Sequence, residues 1–88
     1  MVNKEFKIID PVGLHARPAT LLVNEAGKFS SDSKISVDGK EVNLKSIMGV
    51  MSLAIANGQT ISISVEGDDA SEALDALTNV IIENKIGE

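Results

Sequence analysis

The stretch Thr60-Ile61-Ser62-Ile63-Ser64-Val65-Glu66 alternates strictly between polar and apolar residues. This period of two predicts a strand with one buried face. Gly67 ends the alternation, and from Ala70 to Ile81 the apolar residues recur at a helical spacing. Asp69 and Glu72 resemble a capping box at the start of that helix. The stretch therefore predicts a strand followed by an amphipathic helix.

The N-terminal part of the chain predicts a second strand and helix. Val2, Phe6 and Ile8 alternate with polar residues, with Lys4 as a break in the inner face. A loop of Asp10 to Gly13 follows. From Ala16 a helical spacing is expected, formed by Ala19, Leu22, Val23, Ala26 and Phe29, with Gly27 near the helix end.

The middle of the chain predicts a hairpin and a short helix. Asp38-Gly39 is a strong signal for a two-residue turn, and apolar residues alternate on both sides of it, at Ile35, Val37, Val42 and Leu44. Ser46 is a good N-cap for a helix over Ile47 to Leu53. The order β-α-β-β-α-β-α favours an α+β domain of two layers, an antiparallel sheet with helices on one face.

The composition of the chain excludes several classes of site and partner. The 88 residues are expected to form a single domain, 1–88, and the absence of cysteine excludes disulfides and thiolate metal sites. A net charge of −5, with two Phe and no Trp or Tyr, argues against nucleic-acid binding. The longest apolar-rich run, Ile47 to Ala56, is far shorter than the roughly 20 residues that span a bilayer. We therefore expect no membrane insertion. A cytoplasmic location is expected as well, and the absence of cysteine is compatible with it.

The only histidine, His15, lies where the extended segment gives way to the first helix. Arg17 follows it, and Pro18 is tolerated in the first helical turn because the N–H groups there have no intrahelical acceptor. Unpaired N–H groups and the positive end of the helix dipole favour an anion such as a phosphoryl group. The pattern indicates a histidine that accepts and passes on a phosphoryl group, with charge supplied by Arg17 and by the N–H groups of Ala16 and Arg17.

The short helix after Ser46 is apolar around nearly its whole circumference. Because a small two-layer domain covers one side of such a helix, part of it is expected to be exposed as a partner-docking surface. The candidates are Ile47, Met48 and Met51, and Leu14 is expected to extend the same patch. The alternative is that Ile47, Met48, Val50, Met51 and Leu53 all belong to the core. Four acidic residues, Asp68, Asp69, Glu72 and Asp75, are better explained by a solvated helix start than by a metal site.

Two stretches, Gly13-Leu14-His15-Ala16-Arg17-Pro18-Ala19 and Lys45-Ser46-Ile47-Met48-Gly49-Val50-Met51-Ser52-Leu53, resemble the signatures of HPr. HPr is the histidine-containing phosphocarrier of the bacterial phosphoenolpyruvate:sugar phosphotransferase system. The second stretch is similar to the Gram-positive form. The resemblance covers the whole chain and implies an open-faced β-sandwich of four antiparallel strands and three helices.

The resemblance also implies roles and partners. His15 would take the phosphoryl group on Nδ1 from enzyme I and donate it to sugar-specific EIIA domains, while Arg17 stabilises the charge. Ser46 would be phosphorylated by HPr kinase/phosphorylase, and the modified protein would bind catabolite control protein A in carbon catabolite repression. The implied protein is a carrier rather than an enzyme and needs no cofactor. The sequence leaves the oligomeric state open, and a carrier that presents His15 to successive partners is most simply a monomer. Val12 departs from the family, which often has a small polar residue there, so that phosphate contact is left to a backbone N–H.

Three other functions remain as alternatives. A small hydrolase resembling acylphosphatase also uses an arginine-bearing anion loop, but its loop sequence is not matched here. A regulatory module of the HPr type lacks the active histidine, whereas His15 is present. A generic ligand-binding domain of the same topology does not account for the two matching motifs.

Overall fold

Four strands form one antiparallel sheet in the computed structural model, which describes residues 1–88. The strands are β1 (Val2–Lys7), β2 (Asp32–Val37), β3 (Lys40–Asn43) and β4 (Thr60–Glu66), in the spatial order β1-β4-β2-β3. The helices are α1 (Ala16–Ala26), α2 (Ile47–Ser52) and α3 (Ala70–Glu83). This order and the antiparallel sheet confirm the predicted fold class.

The core lies between the sheet and the helices. β4 is central, pairing Ile61 with Phe6 of β1 and Ile63 with Ile35 of β2, so their side chains share the buried face. The helices close the other side of the core with Leu22, Leu77 and Ile81, among others. Because alternate residues of β4 point to opposite faces, its serines lie on the open face of the sheet.

Lys4 explains the break in the alternation of β1. It pairs with Ile63, on the same face as the core residues, but its side chain is exposed. The ammonium lies 5.6 Å from the centroid of the Phe6 ring. An edge strand permits this arrangement, since the aliphatic stem covers apolar surface while the charge stays in water.

Several elements end differently from their predicted limits. α1 ends at Ala26 with Gly27 as its C-cap, so Phe29 lies beyond the helix and packs against the core from the following turn. Leu44 is fully buried although β3 ends one residue earlier. These residues are placed in the core by the loops that follow each element.

The predicted capping role of Asp69 is wrong. Asp69 occupies the N-cap position of α3, but its side chain makes no capping hydrogen bond. Its carboxylate instead accepts hydrogen bonds from the backbone N–H groups of Ser30 (3.0 Å) and Ser31 (2.9 Å) and from both serine hydroxyls. Asp69 therefore ties the start of α3 to the segment that leads into β2.

The C-terminal residues pair with the end of β1. Lys7 and Glu88 exchange two backbone hydrogen bonds of 2.9 and 3.0 Å, and Ile86 is buried. None of the helices has the length and hydropathy needed to cross a bilayer.

Candidate functional site

The loop before α1 is held against the segment that follows α2. Gly13 has φ +83°, and a Cβ there would lie 2.5 Å from the carbonyl oxygen of Ile55. Leu14 then donates its backbone N–H to the same oxygen at 3.0 Å. Only glycine permits this approach, because any side chain would meet the backbone of Ile55 and Ala56. The contact fixes where His15 leaves the loop.

Leu14 does not belong to the docking patch. Its side chain is only 4% exposed and lies in the hydrophobic core, so the expectation that it extends the exposed apolar surface is wrong. The backbone bond to Ile55 turns the side chain inward. Leu14 therefore anchors the His15 loop and is not part of the exposed apolar surface.

His15 is the N-cap residue of α1 and has extended backbone angles. Its carbonyl accepts the first helical hydrogen bond from Ala19 at 3.0 Å, but its imidazole makes no capping bond. Pro18 has no N–H, so the unpaired N–H groups of this first turn belong to Ala16 and Arg17. The ring is 37% exposed. A partly exposed imidazole thus lies beside two unpaired backbone donors at the positive end of the helix.

Asp10 is a neighbour of His15 that the residue pattern did not predict. Its Oδ2 lies 3.5 Å from Nε2 of His15, and its Oδ1 accepts the backbone N–H of Val12 at 2.9 Å. The Val12 N–H is therefore already bound, so a backbone N–H that contacts phosphate has to come from another residue. The Val12 side chain itself is exposed. An aspartate side chain that binds the backbone N–H two residues further on forms an Asx turn. Asp10 at the start of the loop is therefore a sequence signal that could have revealed the loop structure.

Arg17 lies on the exposed side of α1. It makes no hydrogen bond or ion pair with the rest of the protein. A guanidinium without internal partners two residues after His15 can donate to an anion held at the helix start.

Ser46 begins α2 as predicted. Its Oγ accepts the backbone N–H of Gly49 at 3.1 Å, and Val50 donates to the Ser46 carbonyl at 3.0 Å. The residue is exposed, and a Cβ at Gly49 would lie 3.3 Å from the Ser46 hydroxyl. The hydroxyl is therefore both a helix cap and reachable from solvent.

Part of α2 is exposed, as the apolar circumference suggested. Met48 is 81% exposed, and Ile47 and Met51 are also exposed, while Val50 is buried and Leu53 is half-buried. The alternative that all five side chains are core residues is wrong. Ile47, Met48 and Met51 form what we call the α2 patch.

The largest depression of the surface lies elsewhere. A cavity of about 450 Å³ opens on the uncovered face of the sheet, lined by Met1, Asp32, Lys34, Glu41, Ser64 and Glu66. None of these residues belongs to the His15 loop or to α2. His15 lines neither this depression nor the smaller one beside it, which is formed by Asp32, Ser33, Lys34 and Asn43.

Several known proteins are similar to this chain in sequence and fold. The family model for the HPr component phosphorylation site of the phosphotransferase system (PTS-HPr) matches residues 2–83. The structure of a histidine-containing phosphocarrier protein from Mycoplasma is 44% identical, with a TM-score of 0.96 and 99% of each chain covered.

Two further structures are similar. HPr-C-His from Thermoanaerobacter tengcongensis is 49% identical, with a TM-score of 0.90, covering 100% of this chain and 98% of its own. The phosphocarrier protein HPr from Bacillus anthracis is 53% identical, with a TM-score of 0.83, covering 90% of this chain and 94% of its own. A family model over nearly the whole chain, a shared fold and a histidine at a helix start lead to one conclusion: this chain belongs to the HPr family of phosphocarrier proteins of the phosphotransferase system.

Proposed function

We propose that His15 accepts a phosphoryl group from enzyme I and donates it to sugar-specific EIIA domains. The observation that carries this proposal is the imidazole at the start of α1, partly exposed and beside the unpaired N–H groups of Ala16 and Arg17. Phosphoryl transfer needs an aligned nucleophile and preorganised positive charge more than it needs covalent help. This part of the chain supplies both.

The transfer is a substitution at phosphorus. The Nδ1 lone pair of His15 forms the new N–P bond while the bond from phosphorus to the donor breaks, and that electron pair returns to the donor. The phosphoryl oxygens carry the charge, and they lie within reach of donors of different kinds. The N–H groups of Ala16 and Arg17 are fixed by the helix, whereas the Arg17 guanidinium can follow the group as it moves.

Phosphorus NMR tests the proposal directly. The protein is incubated with phosphoenolpyruvate, magnesium and enzyme I, with His15→Ala beside it. We expect an acid-labile phosphohistidine signal on Nδ1 in the wild type and none in the variant. Adding an EIIA domain should then discharge the signal. A folded wild-type protein that gives no phosphohistidine signal would refute the assignment of His15.

A second part of the proposal is that Ser46 is the target of HPr kinase/phosphorylase. Ser46 is exposed, and its hydroxyl lies at the N-terminal end of α2 beside the α2 patch. A phosphate at a helix N-terminus is electrostatically favourable, so the fold should survive the modification. The added charge would change which partners bind the patch. It would weaken the binding of enzyme I and strengthen the binding of catabolite control protein A. In this way the modification would link the carrier to carbon catabolite repression.

Incubation with ATP and the kinase distinguishes the two phosphorylation sites. We expect phosphate incorporation in the wild type and in His15→Ala, but not in Ser46→Ala. Ser52→Ala is the matched control, because Ser52 is an exposed serine at the other end of the same helix. Incorporation that persists in Ser46→Ala, or unchanged affinity of the phosphorylated protein for enzyme I, would contradict this part of the proposal.

A further inference from the structure

The carboxylate of Asp10 lies against one edge of the His15 ring. Its Oδ2 is 3.5 Å from Nε2, while Nδ1 has no partner in the protein. The Asp10 side chain is 21% exposed, less than the ring it contacts. The two ring nitrogens therefore have different surroundings, a carboxylate acceptor near Nε2 and no hydrogen-bond partner at Nδ1.

Asp10 is itself held in place from several directions. Its Oδ1 accepts the N–H of Val12 at 2.9 Å, and its carbonyl accepts the N–H of Gly13 at 2.9 Å. The side-chain amide of Asn57 donates to the same carbonyl at 3.1 Å. With one carboxylate oxygen fixed by the turn, the other can face the imidazole without further ordering.

We propose that Asp10 is a positioning residue for His15, and that its carboxylate holds the proton on Nε2 and leaves the lone pair on Nδ1. A carboxylate is an acceptor only, so it favours the tautomer that presents N–H to it. The inference deepens the proposed function, since it explains why Nδ1 is the nitrogen that receives the phosphoryl group.

The same contact strengthens during the transfer. When the Nδ1 lone pair forms the bond to phosphorus, the proton stays on Nε2 and the ring becomes a phosphorylated imidazolium. The positive charge that develops on the ring is stabilised by the carboxylate at Nε2. On donation to the next protein the N–P bond breaks, its electron pair returns to Nδ1, and the ring is neutral again with the same proton on Nε2. Because Nε2 and Nδ1 face different directions, the carboxylate is kept away from the phosphoryl oxygens.

Asp10→Asn is the decisive variant. It preserves the turn, and it replaces the hydrogen-bond acceptor that faces Nε2 of His15 with a donor. The Val12 N–H requires an acceptor, so the amide oxygen of the new residue takes the place of Oδ1. The NH₂ group then faces His15. That group is a donor only, so it favours an accepting Nε2 and shifts the tautomer balance toward Nδ1–H, the form without a nucleophilic lone pair on Nδ1.

The experiment is long-range proton–nitrogen NMR of the neutral ring in the unphosphorylated protein. We expect Nε2–H to dominate in the wild type and the ratio of Nε2–H to Nδ1–H to fall by roughly three- to tenfold in Asp10→Asn. Asp75→Asn removes the same charge from an exposed position on α3 and should keep the wild-type ratio. Equal ratios in all three proteins would overturn the inference.

Phosphoryl transfer from enzyme I supplies the second readout. We expect Asp10→Asn to accept the group roughly three- to tenfold more slowly than Asp75→Asn, with the Val12 and Gly13 amide shifts showing an intact loop. An unchanged rate would also count against Asp10. The NMR ratio needs no phosphoryl transfer, so it is unaffected if the proposed role of His15 fails. Conversely, a normal phosphohistidine signal with an unchanged ratio would reject Asp10 alone.

Discussion

Arg17 brings a planar guanidinium to the start of α1, and this group has no hydrogen-bond or ion-pair partner within the protein. A guanidinium can hold two phosphoryl oxygens at once, whereas an ammonium acts as a single point charge. We expect Arg17→Lys to slow phosphoryl transfer to an EIIA domain by about tenfold, although the charge is retained. Rapid-quench kinetics of the phosphorylated protein measure this rate. Equal rates for the two forms would remove the role assigned to Arg17.

Ser33 buries a side-chain hydroxyl that forms no hydrogen bond. It points to the buried face of β2, and its Oγ has no hydrogen-bond partner. Burying an unpaired hydroxyl is unfavourable, so Ser33→Ala should raise the free energy of unfolding by about 1 kcal/mol. Urea denaturation gives the value, and Ser36→Ala on the same strand, where the hydroxyl is less buried, should change it less. A loss of stability in Ser33→Ala would show that the hydroxyl is paired in solution.

Among the elements, α2 carries the exposed apolar surface that we propose as the docking site for other proteins. Met48 is the most exposed residue of the α2 patch, and a flexible thioether adapts to partners of different shape. We expect Met48→Asp to weaken binding of enzyme I by about tenfold, because a charge would be buried in an apolar contact. Ile82→Asp is the matched control, since Ile82 is an exposed apolar residue on α3. Calorimetric titration that finds the same affinity for both variants would place the docking surface elsewhere.

The end of α2 contains a residue in an unfavourable backbone conformation. Ala54 has φ +50°, in the left-handed region that follows the last turn of the helix. A Cβ is disfavoured there, so Ala54→Gly should stabilise the protein by about 0.5–1 kcal/mol. Thermal or urea unfolding measures the change. Ala56→Gly, two residues on and outside this conformation, should have no stabilising effect, and a gain in both variants would argue against backbone strain as the cause.

At the scale of the whole molecule, Asp69 joins α3 to the segment before β2. Hydrogen bonds from Ser31 and Ser30, the Ser31 hydroxyl first, hold the pKa of Asp69 below its ordinary value of 3.8. Asp69 therefore becomes protonated at a lower pH in the folded state than in the unfolded chain. The stability that it contributes is complete above pH 3.8 and is lost as the pH falls through the lowered pKa.

Urea denaturation over this acid range tests the link. The wild type should lose stability below pH 3.8 more steeply than Asp69→Asn, which has no carboxylate to protonate at this position. Asp75→Asn should follow the wild-type profile because Asp75 makes no such contacts. If stability falls in parallel with pH in the wild type and Asp69→Asn, the contact with Ser31 does not lower the pKa of Asp69 in the folded state relative to the unfolded chain.

Much of the architecture is readable from local pattern. The alternation in β4, the Asp38-Gly39 turn and the Ser46 cap each depend on residues close together in the chain, and all three predictions are confirmed. The position of His15 at the start of α1 is predicted for the same reason, since a helix start is a local event.

The sequence by itself thus determined the element order, the two-layer arrangement and the residue at the helix start. Only the tertiary structure decided which neighbours that residue has. Leu14 turns into the core because its backbone binds Ile55, 41 positions away, and Asp69 bonds to Ser31 instead of capping α3. Asp10 meets His15 because a turn brings its carboxylate back toward the ring. Periodicity reports which face of an element is buried, but such contacts depend on how loops close on distant segments, and the spacing of residues along the chain does not encode that.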